Sequence, residues 1–118
     1  MDMNKREVGS RFEQRAADFL MEHGYVILEY NFRSKMGEID LIAKDEDYLC
    51  FIEVKFRSNL QKGFPAEAIT PQKIKRITRT AQFYMLLHKI PEDTPCRFDV
   101  VDILKDNITL IKNAFYGV

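Results

Sequence analysis

Apolar side chains recur every three to four residues near the start of the chain, where Val8, Phe12, Ala16, Phe19 and Leu20 form one stripe. That spacing predicts an amphipathic helix over residues 7–23, and Gly24 supplies its stop. The period then changes to two. Residues 25–33 (YVILEYNFR) are β-branched and aromatic and predict a first strand. After a polar connection, Gly37 opens a second strand, GEIDLIA, with Ile39, Leu41 and Ala43 on one face and Glu38, Asp40 and Ile42 on the other. A third strand covers residues 48–57, with Cys50, Ile52, Val54 and Phe56 on one face and Phe51, Glu53, Lys55 and Arg57 on the other. Both faces carry apolar residues, which predicts a sheet covered on both sides.

Residues 58–67 (SNLQKGFPAE) contain Gly63 and Pro65 and predict a loop long enough to move at the mouth of a site. Thr70-Pro71 is a helix start, a capping threonine followed by proline at the first helical position. The helix it opens, residues 71–89, has an apolar stripe of Ile74, Ile77, Ala81, Tyr84, Met85 and His88. Residues 97–104 (RFDVVDIL) predict a fourth strand, Asp106-Asn107 a turn, and residues 108–112 a short fifth strand. The order α-β-β-β-α-β-β predicts an α/β (α+β) fold: a mixed central sheet of about five strands flanked by helices. A length of 118 residues fits one domain, 1–118.

Composition narrows the class without naming a chemistry. Apolar residues at 46% and charged residues at 31% are ordinary for a soluble globular chain. No apolar run approaches a membrane span, and the N-terminus has no secretory core. Cys50 and Cys96 fit neither a metal-binding spacing nor a disulfide framework, and Cys50 alternates with Ile52 and Val54 as a small hydrophobe. A cytoplasmic location is expected. Net charge is zero, but residues 1–59 carry 9 basic and 12 acidic side chains, against 9 and 6 in residues 60–118. Five basic residues and no acidic ones lie between Ala68 and Pro91. An acidic cluster beside a basic helix is what a metal-dependent nuclease needs, although ordinary surface variation produces it too.

The sharpest local pattern is Asp40 on the second strand with Glu53 and Lys55 on the third. A turn centred on Glu46-Asp47 pairs residues whose numbers sum to 93, which sets Asp40 opposite Glu53. Like charges across a ladder destabilise it, so a cation between them is expected. Oxygen-ligated Mg²⁺ or Mn²⁺ suits such carboxylates and is the usual catalyst of phosphodiester hydrolysis. Lys55, on the same face as Glu53, would stabilise developing charge. The plainer alternative is a cross-strand salt-bridge cluster. Glu13 borders the first helix's stripe with Ala16, Ala17 and Leu20; it could face a site in the neighbouring sheet, but periodicity alone favours a boundary glutamate reaching solvent. Lys73, Lys75, Arg76 and Arg79 would hold backbone phosphates if their helix borders the acidic centre, with Arg57 added at the end of the third strand. His23 and His88 have no partner at ligand spacing, no serine sits in a nucleophile elbow or P-loop, and Asp99 and Asp102 are expected to be structural.

The arrangement Asp40…Glu53-Val54-Lys55 resembles the core of the PD-(D/E)XK nuclease superfamily, whose members share a restriction-endonuclease-like core. The chain is more closely similar to the YraN-type family, a bacterial group described as candidate endonucleases and likened to archaeal Holliday-junction resolvases. GSRFEQRAADFL, Gly24-Tyr25 with Asn31 and Arg33, GEIDLIA, FIEVKFR, Pro65 to Ala68 with Lys73 and Arg76, RFDVV and Asn113-Ala114-Phe115 carry the resemblance in order. It implies that Glu13, Asp40, Glu53 and Lys55 form an acidic-lysine centre, with Glu13, Asp40 and Glu53 on the metal. It also implies Gln72 or Lys73 as an auxiliary residue. The activity implied is metal-dependent endonucleolytic cleavage of DNA, including branched or structured DNA; cutting two strands needs two centres, so a homodimer is expected, with no organic cofactor and no membrane partner. A non-catalytic nucleic-acid-binding or adaptor protein on the same fold is the alternative. Two positions depart from the family pattern: Phe12 stands where glycine is common, and Phe56 where threonine is usual.

Overall fold

The N-terminal stripe becomes α1 (Lys5–Glu22), and the strands that follow are β1 (Val26–Ser34), β2 (Gly37–Asp45) and β3 (Tyr48–Arg57). After them come α2 (Pro71–Leu87), β4 (Cys96–Leu104) and β5 (Asn107–Ile111), giving a mixed α+β fold in the expected order. This computed structural model describes residues 5–57 and 69–117, with side chains in α1 from Arg11 onward. The Val8 side chain and the 58–67 connection therefore lie outside the described residues. The five strands lie in sequence order, β1-β2-β3-β4-β5. All neighbours are antiparallel except β3 and β4, which run parallel because α2 separates them in sequence.

The two apolar faces of the sheet each collect a helix. On one side Ala16, Ala17 and Leu20 of α1 pack with Leu41, Ala43, Cys50, Ile52, Val101 and Ile103. On the other, Ile77, Ala81 and Tyr84 of α2 pack with Phe32, Ile39, Ile42, Leu49 and Phe51. Strict alternation puts Ile39 with Leu41 and Ala43, yet it lies with Ile42 on the α2 side. Its partner strand explains the crossing. Between the pairs Tyr30↔Leu41 and Phe32↔Ile39 stands Asn31 at φ 51. A left-handed residue inside a strand breaks the two-residue period and re-aims its neighbours.

Local signals set the helix starts and stops. Gly24, at φ 89, ends α1 while the Tyr25 N–H returns to the Leu20 carbonyl at 3.0 Å. Thr70 caps α2 by accepting the Lys73 N–H at 3.1 Å, and Pro71 follows it. Gly37, at φ 156, lets α2 approach the start of β2, since a Cβ there would sit 3.1 Å from Thr80 Oγ1 and 3.3 Å from Arg76 Cβ. No helix among the described residues is long and apolar enough to cross a membrane.

Candidate functional site

The β2–β3 ladder keeps the register expected from the sequence, from Asp45↔Tyr48 to Leu41↔Ile52. Beyond that pair the expected Asp40–Glu53 rung gives way to a side-chain contact: Asp40 Oδ2 accepts the Val54 N–H at 2.8 Å. The carboxylate thus sits where β2 leaves β3, against the backbone next to Glu53. Glu13 enters from α1. Ligand oxygens of Glu13, Glu38 and Asp40 lie within 4.8 Å of one another. Asn31 favours the charged form of the Glu13 carboxyl, so the left-handed residue of β1 is a polar neighbour of the α1 acid. Glu13 Oε2 is buried and without a hydrogen-bond partner, the one such side-chain atom among the described residues.

Glu53 does not join that triad. It is 7% exposed, and its Oε1 contacts Lys73 Nζ, with Lys55 Nζ 3.7 Å away. The Thr70 cap sets this contact, because Lys73 lies in the first turn of α2 over the β3 carboxylate. A cavity of about 410 Å³ opens here, lined by Glu38, Asp40, Glu53, Gln72, Lys73 and Arg76 among others.

The crowded charges shift one another. Burial, then the Glu53, Glu13 and Glu38 charges, push the Asp40 carboxyl up to about 8, although the Val54 N–H works against them. Burial and the Glu38 charge also raise Glu13, with Asn31 opposing. Burial and the adjacent Lys73 lower Lys55. Burial alone would lower Lys73, but its bond to Glu53 outweighs that and leaves it raised. Each carboxyl shift disfavours the charged form, and a cation among the oxygens would reverse the direction. The donor set is all oxygen, which suits a hard divalent cation such as Mg²⁺ or Mn²⁺.

Four of the residues expected in the centre, Glu13, Asp40, Glu53 and Lys55, converge on this end of the sheet, and Gln72, Lys73 and Arg76 border the cavity. Lys75 and Arg79 are exposed on α2 but do not line it. Arg57 is a correction. Its guanidinium donates to Asp102 from Nε and from Nη2, each at 2.9 Å, and the residue is 8% exposed. A buried fork engaged by a carboxylate is not offered to a phosphate backbone. Asp99 and Asp102 are structural as expected. Asp99 is fully buried and accepts from Arg97, Tyr25 and the Asn113 N–H.

Sequence reasoning missed Glu38 and Asn31 as site residues. The signal for Glu38 was its place two residues before Asp40 on one strand face. For Asn31 it was a residue type that tolerates positive φ, set inside an otherwise β-branched run. The two departures from the family pattern meet each other: the Phe12 and Phe56 rings stack with centroids 3.8 Å apart and planes 20° from parallel.

An α+β domain whose sheet end gathers four carboxylates with two lysines is the class that this geometry defines. The family described as "Uncharacterised protein family UPF0102" matches residues 12–103, and the chain belongs to it. A UPF0102 protein of Lachnoclostridium phytofermentans is 57% identical over 117 residues, covering 98% of this chain and 99% of its own. One of Acetivibrio thermocellus is 46% identical over 122 residues, covering 95% of this chain and 93% of its own. One of Caldicellulosiruptor saccharolyticus is 44% identical over 119 residues, covering 96% of this chain and all of its own, at 100%.

Proposed function

We propose that this chain is a metal-dependent endonuclease that hydrolyses phosphodiester bonds in DNA, related to the PD-(D/E)XK nucleases that its Asp40…Glu53-Val54-Lys55 pattern resembles. The observation that carries the reading is the triad of Glu13, Glu38 and Asp40 with its unpartnered buried oxygen, set beside Glu53 and two lysines. A salt-bridge cluster balances its charges locally. Here no ion pair reaches Asp40 or Glu13 among the described residues, and burial with the neighbouring carboxylates pushes the Asp40 carboxyl up to about 8.

Glu13, Glu38 and Asp40 would hold Mg²⁺ or Mn²⁺, with Glu53 completing the set as Lys73 turns away. The bound ion would polarise the phosphoryl group and lower the pKa of an attacking water. Asn31 would favour the charged, ligating form of Glu13. The Val54 N–H fixes one Asp40 oxygen and leaves the other for a ligand. Lys55, 3.7 Å from Glu53, would stabilise the charge that develops on the phosphoryl group. Lys73 and Arg76 at the cavity wall would hold the flanking phosphates, with Gln72 beside them and Lys75 and Arg79 extending the basic face outward. The resemblance favours branched or structured DNA, and cutting two strands needs two centres, hence a homodimer.

The test is a cleavage panel of single-stranded, duplex, flap and four-way-junction DNA, with RNA alongside, in Mg²⁺, Mn²⁺ or neither. Metal-dependent cutting is expected, with Asp40→Ala and Glu53→Ala each reducing it at least about a hundredfold. Cutting that survives Glu53→Ala overturns the site. Salt-dependent binding without any cutting would make the chain a nucleic-acid-binding protein on a nuclease fold.

A further inference from the structure

Glu53 is claimed twice. It is one of the four acids of the proposed metal centre, yet its Oε1 already contacts Lys73 Nζ, and the residue is 7% exposed. Stripping a buried carboxylate of its cation is strongly disfavoured, so Lys73 holds its place until another cation replaces it. The lysine is itself half-buried in the first turn of α2, and its ammonium needs an acceptor wherever it goes.

The cavity is where that acceptor would enter. Lys73 lines it with Gln72 and Arg76, whereas Lys55, the other lysine near Glu53, does not. The Lys73 side chain is also the more exposed of the two, 39% against 22%. Lys73 is therefore the lysine able to turn outward while Lys55 stays behind. Arg76, three residues along α2, is exposed and pairs with no carboxylate among the described residues. The first turn of α2 contains no acidic residue, although the N-terminal end of a helix favours negative charge. A phosphate arriving there meets two cations and a favourable dipole.

We propose that Lys73 couples the two binding events: a backbone phosphate of the DNA draws it off Glu53, and the freed carboxylate completes the divalent-cation site. Every charge keeps a partner in this exchange. The ammonium passes from carboxylate to phosphate, and the carboxylate passes from ammonium to cation. Either half alone leaves a charge unpaired or crowds a divalent cation and an ammonium onto one buried carboxylate. Each ligand therefore strengthens the binding of the other. This rests on the nuclease reading and adds to it that the centre becomes complete on a bound strand.

The test measures Mn²⁺ affinity by the electron paramagnetic resonance of the free ion, with and without a duplex or a four-way junction built of phosphorothioate linkages to resist cutting. Uptake of Mn²⁺ by the DNA alone is subtracted. In the native chain DNA should tighten Mn²⁺ binding about tenfold. Lys73→Gln should bind Mn²⁺ more tightly than the native chain when no DNA is present, and gain little when DNA is added. Lys73→Arg, which keeps a cation on Glu53, should retain the coupling. Glu53→Gln should bind Mn²⁺ more weakly and lose the coupling from the other side. Circular dichroism identifies the variants that are folded. Coupling that survives in folded Lys73→Gln or Glu53→Gln comes from elsewhere and overturns the proposal, as does equal Mn²⁺ affinity of the native chain with and without DNA; the nuclease reading outlives both results. Failure of the native chain to bind Mn²⁺, or to bind either DNA, removes the proposal and the reading together.

Discussion

β2 carries acidic residues near both ends, and the two ends solve the problem of buried charge in opposite ways. At its C-terminal end Asp45 joins a finished network. Arg97 donates to Asp45 at 2.7 Å, to Asp99 at 2.8 Å and to the Tyr25 hydroxyl at 2.8 Å, while Lys112 reaches Asp45 at 3.1 Å. Two carboxylates meet two cations there. The shifts agree with that balance: hydrogen bonds from Arg97 hold the Asp45 carboxyl below its ordinary range, and those to Asp99 raise Arg97. At the other end Glu38 and Asp40 meet Glu13 and Glu53, with two lysines on Glu53, Arg33 at 3.6 Å from Glu38 on the exposed side, and no ion pair to Asp40 or Glu13 among the described residues. There the carboxyls of Asp40 and Glu13 are pushed up. One strand thus holds a cluster that stabilises the fold and a cluster held against its own repulsion. The second kind persists where the surrounding fold over-determines it, and such positions concentrate at functional sites.

The contrast breaks most visibly at Arg97. Removing one partner of a buried ionic network leaves the others charged and unpaired, which costs about 3–5 kcal/mol. Asp99 is fully buried and has no solvent to turn to. Arg97→Met should therefore lower unfolding stability by about that amount in urea denaturation. A loss under about 1 kcal/mol would mean that the finished cluster is as dispensable as a surface pair.

Asp40 sharpens the opposite side. Its folded carboxyl titrates at about 8, against an ordinary value of 3.8. Between those values the unfolded chain binds fewer protons than the folded one, so stability falls as pH rises. The contribution is full below about pH 4 and lost above about pH 8. In metal-free buffer, Asp40→Asn should flatten this slope, gaining nothing near pH 4 and up to about 6 kcal/mol above pH 8. Saturating Mg²⁺ should remove the difference for the native chain, since a ligand bound only to the folded state stabilises it by mass action. Denaturation curves at a series of pH values, with and without Mg²⁺, test both halves. If Asp40→Asn destabilises at pH 8, the carboxylate is a structural partner of Val54 and the comparison collapses.

How legible each cluster was in the sequence follows from what made it. The β2–β3 register was readable because an acidic turn and strict alternation over residues 41–52 leave one pairing that buries the right faces. The α2 start was readable from Thr70-Pro71, a purely local signal. The side on which Ile39 lies was not, because it depends on one backbone angle at Asn31 in the neighbouring strand. Asp40, Glu53 and Lys55 stood out as charges on otherwise apolar strands. Glu38 was passed over because it is exposed and also near Arg33, at 3.6 Å, as an ordinary surface glutamate would be. Arg57 was misplaced for the converse reason. Its partner Asp102 is 45 residues away, and the parallel β3–β4 pairing that unites them is made by a crossover no local pattern encodes.

Thr70 gives the smallest effect and the finest distinction. Its hydroxyl accepts the Lys73 N–H at 3.1 Å, and Lys73 in turn reaches Glu53. An N-cap removed by Thr→Ala typically costs about 1 kcal/mol. Thr70→Ser keeps the oxygen and should cost much less. Were the cap merely a cap, the loss in Thr70→Ala would be the same in Mg²⁺ as in metal-free buffer. If α2 brings Lys73 to a carboxylate that otherwise waits for a cation, the loss should be larger without metal, where Lys73 is the closer of the two lysines on Glu53. Urea denaturation of both variants in each condition measures the difference. Equal losses would place Lys73 outside the charge balance of the centre and leave Lys55 to hold Glu53 alone.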